Sequence, residues 1–199
     1  MTRAGHVRRI ACIGVWGALL ALAVLLDAPV SAWVRGHPLS GNALFAAHAV
    51  RDMGNFFFTI ALGLLVLGLT RGNVRAAFLP CLAGAIGGIC YEVLKRCVGR
   101  PRPNLGAGPF EFHPFTMHSA GLSFPSGHTC LAFATAAALA VSFPRARVAF
   151  FFVAALVAAE RVREGAHYPS DVVGGAAVGV VSALIAARLW PLQARRTSP

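Results

Sequence analysis

The chain alternates long apolar blocks with short polar interruptions. The blocks run over Ile10–Val34, Met53–Thr70, Ala76–Leu94, Phe124–Phe143, Val148–Val162 and Asp171–Trp190. None shows the period-two alternation of a half-buried strand. Most approach the roughly 20 residues that cross a hydrocarbon core, and Val148–Val162 falls short of it. The pattern predicts an all-α, polytopic membrane helix bundle of about six transmembrane helices, forming one transmembrane domain over residues 1–199. Gly84 and Gly88, and Gly175 and Gly179, recur at the spacing of small residues that let membrane helices approach closely, and both pairs are read as structural. The first block has the basic start and trailing "PVSA" of a cleavable signal peptide. The length of its apolar run, Ile10–Leu26, favours an uncleaved helix.

Composition agrees with a membrane reading. The chain is 57% hydrophobic and 13% charged, against about 25% charged in soluble domains. The net charge of +11 raises nucleic acid as a partner. The cations are scattered between apolar blocks rather than gathered into a stripe or tail, which argues against it. The cysteines, Cys12, Cys81, Cys90, Cys97 and Cys130, show neither CxxC nor Cys/His ligand spacing. They are read as small buried hydrophobes, not as a disulfide framework or a metal site.

Charge also divides between the two ends of the predicted bundle. With the N-terminus inside, the inner end receives Arg3, Arg8, Arg9, Arg71, Arg75, Arg145, Arg147, Arg188, Arg195 and Arg196 and no acid. The outer end receives every acid, together with Arg35, Arg51, Lys95, Arg96, Arg100, Arg102, Arg161 and Arg163. That outer cationic excess runs against the positive-inside tendency unless those side chains serve an anionic ligand.

Three outer stretches carry candidate chemistry. In "KRCVGRPRP", Lys95, the only lysine of the protein, lies with Arg96, Arg100 and Arg102 in a proline-stiffened loop. Such cations are commonly headgroup anchors. In "FPSGHTC", Ser126, Gly127 and His128 open an apolar block, where free helix N–H groups make an anion cradle. The plainer reading is a turn and a cap. In "EGAHYPSDVVGG", His167 and Asp171 straddle a helix start, so a carboxylate on Nδ1 could aim Nε2 outward as base or nucleophile. A satisfied His–Asp pair with a capping role is equally open. His37, His48, His113 and His118 lack such company and are read as ordinary loop or interface residues.

Taken together, these stretches resemble the signature of the type 2 phosphatidic acid phosphatase family: K-x6-RP at Lys95 to Pro103, PSGH at Pro125 to His128, and SR-x5-H-x3-D from Arg161 through His167 to Asp171. Order and spacing match, and the single departure is Glu160 where the family has serine. Glu160 is read as tuning Arg161 or selecting a substrate. The resemblance implies metal-independent hydrolysis of a lipid phosphate through a phosphohistidine, without any cofactor. His167 would attack, Asp171 would hold its ring, and His128 would act as acid and then base. Lys95, Arg102, Ser126, Gly127 and Arg161 would bind the phosphoryl oxygens. Arg96, Arg100 and Arg163 lie off the motif positions and are assigned to headgroups.

The expected partners are a membrane lipid phosphate and the bilayer, with no nucleic acid. The expected location is a bacterial inner membrane, with the active site facing outward. The competing class is a polytopic lipid-phosphate binding or transport protein that keeps the site without turnover. Among lipid substrates, undecaprenyl pyrophosphate, phosphatidylglycerol phosphate, phosphatidate and lipid A stay open. Phe110, Phe112 and Phe115, between the first two motifs, are candidates for touching lipid chains at the entrance.

Overall fold

The protein is described here by a computed structural model covering residues 3–106 and 108–191. Arg195 and Arg196, and the side chains of Arg3, Arg8, Arg9 and Cys12, lie outside the described residues. The helices are α1 (Arg3–Gly36), α2 (Gly41–Asp52), α3 (Phe56–Leu69), α4 (Val74–Val98), α5 (Gly127–Ser142), α6 (Arg147–Arg163) and α7 (Pro169–Leu189). Among the described residues the only extended pairing is an isolated bridge between Pro101 and Leu122.

All six apolar blocks are helical. The element absent from the sequence reading is α2, whose "GNALFAAHAVRD" mixes apolar and polar residues too evenly to stand out as a block. Asn55 and Asn73 start α3 and α4 by accepting the Phe58 and Ala76 amides at 2.7 and 3.0 Å. Gly99, in the left-handed region with φ 65°, closes α4, and a Cβ there would sit 1.8 Å from the His113 carbonyl oxygen. By length and composition, α1, α4 and α7 are able to cross a membrane, and the pair α2–α3, bent by 65°, makes a fourth. At 16 and 17 residues, α5 and α6 are shorter, so six full crossings are not established by helix length.

α5 is the centre of the bundle, packed against α7, α4 and α6. Its contacts are built from small residues: Ala134 and Ala138 meet Leu79 and Ala83 of α4 and Ala183 and Ala186 of α7. Ala132 and Ala136 meet Ala154 and Val157 of α6. Thr59 of α3 and Thr135 of α5 share a buried hydrogen bond of 3.0 Å. The Gly175/Gly179 pair works as expected: a Cβ would fall 2.5 Å from the Ser126 carbonyl at Gly175, and 2.3 Å from that of Cys130 at Gly179. The other pair does not. Gly88 faces open space, and it is Gly84 and Gly87 that meet Phe56 and the Cys130 sulfur. Among the described cysteine side chains, the buried reading holds fully only for Cys130, since Cys81 is half-buried and Cys90 and Cys97 are exposed.

Large apolar side chains such as Leu25, Phe57, Leu69 and Leu189 cover the outside of the bundle. A lipid-facing surface is apolar where a water-facing one is charged. One end of the bundle holds the last turns of α1, α4 and α6 and the first turns of α3, α5 and α7. Arg71, Arg75, Arg145, Arg147 and Arg188 lie toward the other end. There Arg75 donates to the Trp190 carbonyl at 2.9 Å, tying α4 to α7.

The glycine contacts set a test. Gly179→Ala forces a methyl into the α5 backbone and is expected to lower stability by about 1–3 kcal/mol, typical of overpacking. Gly88→Ala should be neutral. Thermal unfolding of both variants in the same detergent checks the contrast.

Candidate active site

Backbone hydrogen bonds draw the three motif stretches together. The Ser123 amide donates to the Arg100 carbonyl at 2.7 Å and the Arg102 amide to Gly121 at 3.0 Å, which lashes the first motif to the approach of the second. The Asn104 amide donates to Gly165 at 3.1 Å and the Ser126 amide to Asp171 at 3.0 Å, which brings in the third. As a result Lys95 lies within electrostatic reach of Arg102, Arg161 and Asp171. His128 is similarly close to Arg161, His167 and Lys95. Gly54, at the bend between α2 and α3, has no room for a Cβ beside the His128 carbonyl, 2.8 Å away, so the bend itself backs His128.

Ser126 and Gly127 are buried at the start of α5. Ser126 Oγ accepts from Thr129 Oγ1 at 3.0 Å, and the Tyr91 ring lies against Gly127. The free amides of a helix's first turn carry partial positive charge and favour an anion.

His167 precedes α7 and is buried. Burial pushes its pKa down to about 4, the nearby cations of Arg161 and Lys95 reinforce the shift, and Asp171 opposes it. The ring is therefore neutral at neutral pH, with a lone pair available. The carboxylate expected to hold it stands at 3.6 Å, Asp171 Oδ2 to His167 Nδ1, beyond hydrogen-bond distance. Asp171 is engaged elsewhere as well. Oδ2 accepts the Tyr168 amide at 2.7 Å, and Oδ1 accepts Arg100 Nη1 at 2.7 Å. It is at once a helix-start cap, an ion-pair partner and the acid next to the histidine.

Arg161, in the last turn of α6, is buried between two glutamates. It lies 3.4 Å from Glu160 and is hydrogen-bonded to Glu164. Glu164 also faces Arg51 at 3.7 Å and His48 at 3.8 Å. Arg102 donates to the Leu122 carbonyl at 3.2 Å. Burial and the neighbouring Arg161 hold its pKa below the usual guanidinium range. Three cations and a helix N-terminus thus converge, and of the three only Arg161 is paired with carboxylates, which suits a multiply charged anion.

Among the cations outside the motif positions, Arg100 departs from the headgroup assignment. Arg100 is buried among Asp27, Asp171 and Ser170, with its guanidinium 4.0 Å from the centre of the Tyr168 ring. Arg163 lies over Trp33 at 5.2 Å. Arg96 is exposed and paired with Glu92 at 3.3 Å. Asp27, Arg51 and Glu164 were not singled out in the sequence. Asp27 carried a usable signal, an acid inside a long apolar block. His48 joins the rim of the site through Glu164, whereas His37 bonds the Trp33 carbonyl at 2.8 Å and His113 pairs with Glu111 at 3.0 Å. Phe110 and Phe112 roof a small cavity of about 210 Å³ over Arg100 and Asp27, and Phe115 is exposed.

Residues 76–195 match the family model described as the PAP2 superfamily. The chain is 34% identical to a lipid A 1-phosphatase of Rhizobium johnstonii, over 93% of this chain and 88% of that one. It is 35% identical to a lipid A 1-phosphatase of Rhizobium etli, over 93% and 92%. The fold is similar to the crystal structure of a transmembrane PAP2-type phosphatidylglycerolphosphate phosphatase from Bacillus subtilis. That match has a TM-score of 0.64 and 21% identity, and it covers 90% of this chain and 94% of that one.

Because the folded pKa of His167 lies below the ordinary 6.5, its neutral form favours folding above pH 6.5, and that contribution is lost as pH falls toward 4. An NMR titration of ring-labelled histidine should find the His167 ring still neutral at pH 6. A midpoint near 6.5 would contradict the burial argument.

Proposed function

The chain belongs to the PAP2 superfamily, and from that premise we propose that it removes the 1-phosphate of lipid A through a phosphohistidine on His167. That it is an integral-membrane lipid phosphatase follows from the family match, the relatives and the helical fold. The observation that carries the mechanism is the convergence of a neutral, buried His167 with Lys95, Arg102, Arg161 and the α5 N-terminus. The choice of lipid A draws its support from relatives matched along nearly the whole chain.

In this mechanism the phosphoryl oxygens are held by Lys95, Arg102 and Arg161, the Ser126 hydroxyl and the Gly127 amide. Arg161 exchanges its glutamate contacts for phosphate oxygen. His167 Nε2 attacks phosphorus, an N–P bond forms, and the bond from phosphorus to the lipid oxygen breaks. His128 gives that oxygen a proton. It then takes a proton from water, whose oxygen attacks phosphorus and frees inorganic phosphate and His167. One group thus acts as acid and then as base. The cations and helix N-terminus stabilise the equatorial oxygens electrostatically, the dominant task in phosphoryl transfer.

An open groove of about 920 Å³ runs between α1, α2, α6 and α7. It is lined by residues such as Leu22, Leu26, Trp33, Val50 and Val173, and Glu160 and Arg163 also border it. The groove suits acyl chains whose phosphate reaches Arg161, which puts Glu160 beside the substrate headgroup. The single domain over residues 1–199 and the placement of the site on the periplasmic side of a bacterial inner membrane belong to the same reading. The support for sidedness is the division of cations and acids between the two ends. A binding protein without turnover is not favoured, since every catalytic position of the signature is filled.

Phosphate release from lipid A, phosphatidylglycerol phosphate, phosphatidate and undecaprenyl pyrophosphate in mixed micelles tests the substrate, with lipid A expected to be fastest. His167→Ala and His128→Ala should each cut turnover by about 10²-fold or more while the protein stays folded. Near-wild-type activity of folded His167→Ala would refute the nucleophile. EDTA should leave the rate unchanged, and a loss restored by Mg²⁺ would refute a purely cationic site.

A further inference from the structure

Asp27 lies on α1, outside the residues matched by the family model, and is fully buried. Its Oδ1 accepts the Ser170 amide at 2.9 Å. Its Oδ2 accepts the Ser170 hydroxyl at 2.6 Å and Arg100 Nη2 at 2.7 Å. Arg100 Nη2 also donates to the Pro109 carbonyl, while Nη1 donates to Ser170 Oγ and to Asp171 Oδ1, each at 2.7 Å. The other oxygen of Asp171 faces His167 Nδ1 at 3.6 Å. A continuous line of charge therefore runs from α1 through the first motif to the third, ending on the histidine.

Charge counting gives this line a purpose. Arg100 paired with Asp171 alone is a neutral couple, and such a couple offers little to a ring gaining positive charge. With Asp27 included, one guanidinium stands between two carboxylates and the group carries one net negative charge. When His167 attacks phosphorus through Nε2, the ring becomes cationic with its Nδ1–H toward Asp171. In a buried site an opposite charge that close favours the charged form strongly. The remaining neighbours of His167 give no such help, because Arg161 and Lys95 are cations and His128 is neutral or cationic. Around Asp27, the further groups are Tyr168 and, beyond it, Arg35.

We infer that Asp27 is a positioning residue for the reaction: by sharing Arg100 it leaves Asp171 enough negative charge to stabilise the His167 ring as it attacks. The inference rests on the proposed role of His167. It adds to the family signature a carboxylate from α1 that acts through two other side chains.

Asp27→Asn keeps shape and removes one charge. It is expected to lower kcat at least tenfold with KM within twofold of wild type, and to move the acid limb of kcat/KM to lower pH. The double variant Asp27→Asn/Arg100→Gln removes one charge of each sign and leaves Asp171 unopposed. It should recover activity relative to the single variant and return the acid limb toward wild type. A role confined to bracing α1 against α7 predicts the reverse order, with the double variant worse. The inference is overturned by wild-type kcat and pH profile in Asp27→Asn, by a double variant less active than the single one, or by failure of both to fold. His167→Ala separates the layers. If that variant is inactive while Asp27→Asn behaves as wild type, only the role of Asp27 falls. If His167→Ala is active, the nucleophile itself was misassigned.

Discussion

The approach of α7 to the backbone of α5 is the constraint on which the site depends. Glycine at 175 and 179 brings the helices so close that a single methyl would collide with α5 carbonyl oxygens. The Ser126 amide then reaches the Asp171 carbonyl, so the two helices begin at the same level. Their positive dipole ends face one place, and the residues at those ends, Ser126 to His128 and His167 to Asp171, face one another. Bulkier residues would hold the helices apart and dissolve the site before any catalytic side chain changed.

Bringing helix N-termini and several cations to one end creates an electrostatic problem, which the protein solves with carboxylates. Arg161 rests between Glu160 and Glu164, and Arg100 between Asp27 and Asp171. The two clusters differ in kind. Arg161 is held by the buried Glu160 and by Glu164, which is partly exposed and shared with Arg51 and His48, so on the proposed mechanism an incoming phosphate can compete for it. Arg100 is locked inside by four side-chain and backbone partners and is not available to a ligand. Buried ion pairs add little net stability over apolar packing, but removing one partner costs about 3–5 kcal/mol because a bare charge remains. Such a cluster fixes geometry more than it strengthens the fold, and the geometry it fixes is that of Asp171 and the start of α7.

Glu160 joins this arrangement to the apolar groove. It stands where the family signature has serine, touches Arg161, and borders the apolar groove. One of its oxygens, Oε1, has no hydrogen-bond partner among the described residues. On the proposed reading, a carboxylate in that position would bear both on the charge that Arg161 presents and on the headgroup beside it, so the two roles considered for Glu160 in the sequence meet at a single place in the fold.

Much of this was legible without coordinates. Long apolar blocks without alternation become helices in a bilayer because a helix satisfies its backbone within the block, whereas the strands of a closed barrel would alternate, and six of the seven described helices announce themselves in this way. Only α2 escapes, because its dozen residues mix apolar and polar types too evenly to form a block. The motif residues stood out through their match in order and spacing to the family signature, where each stretch alone left a plainer reading open. Neighbourhood was not readable. Arg96, Arg100 and Arg163 look alike along the chain, yet one is exposed, one is buried between two acids, and one lies over a tryptophan. Asp27 and Asp171 are separated by most of the sequence and share one guanidinium. Periodicity and motif are local properties that a sequence carries by itself, whereas the partner of a buried charge depends on which helices the glycine contacts bring together, and only the tertiary structure decides that.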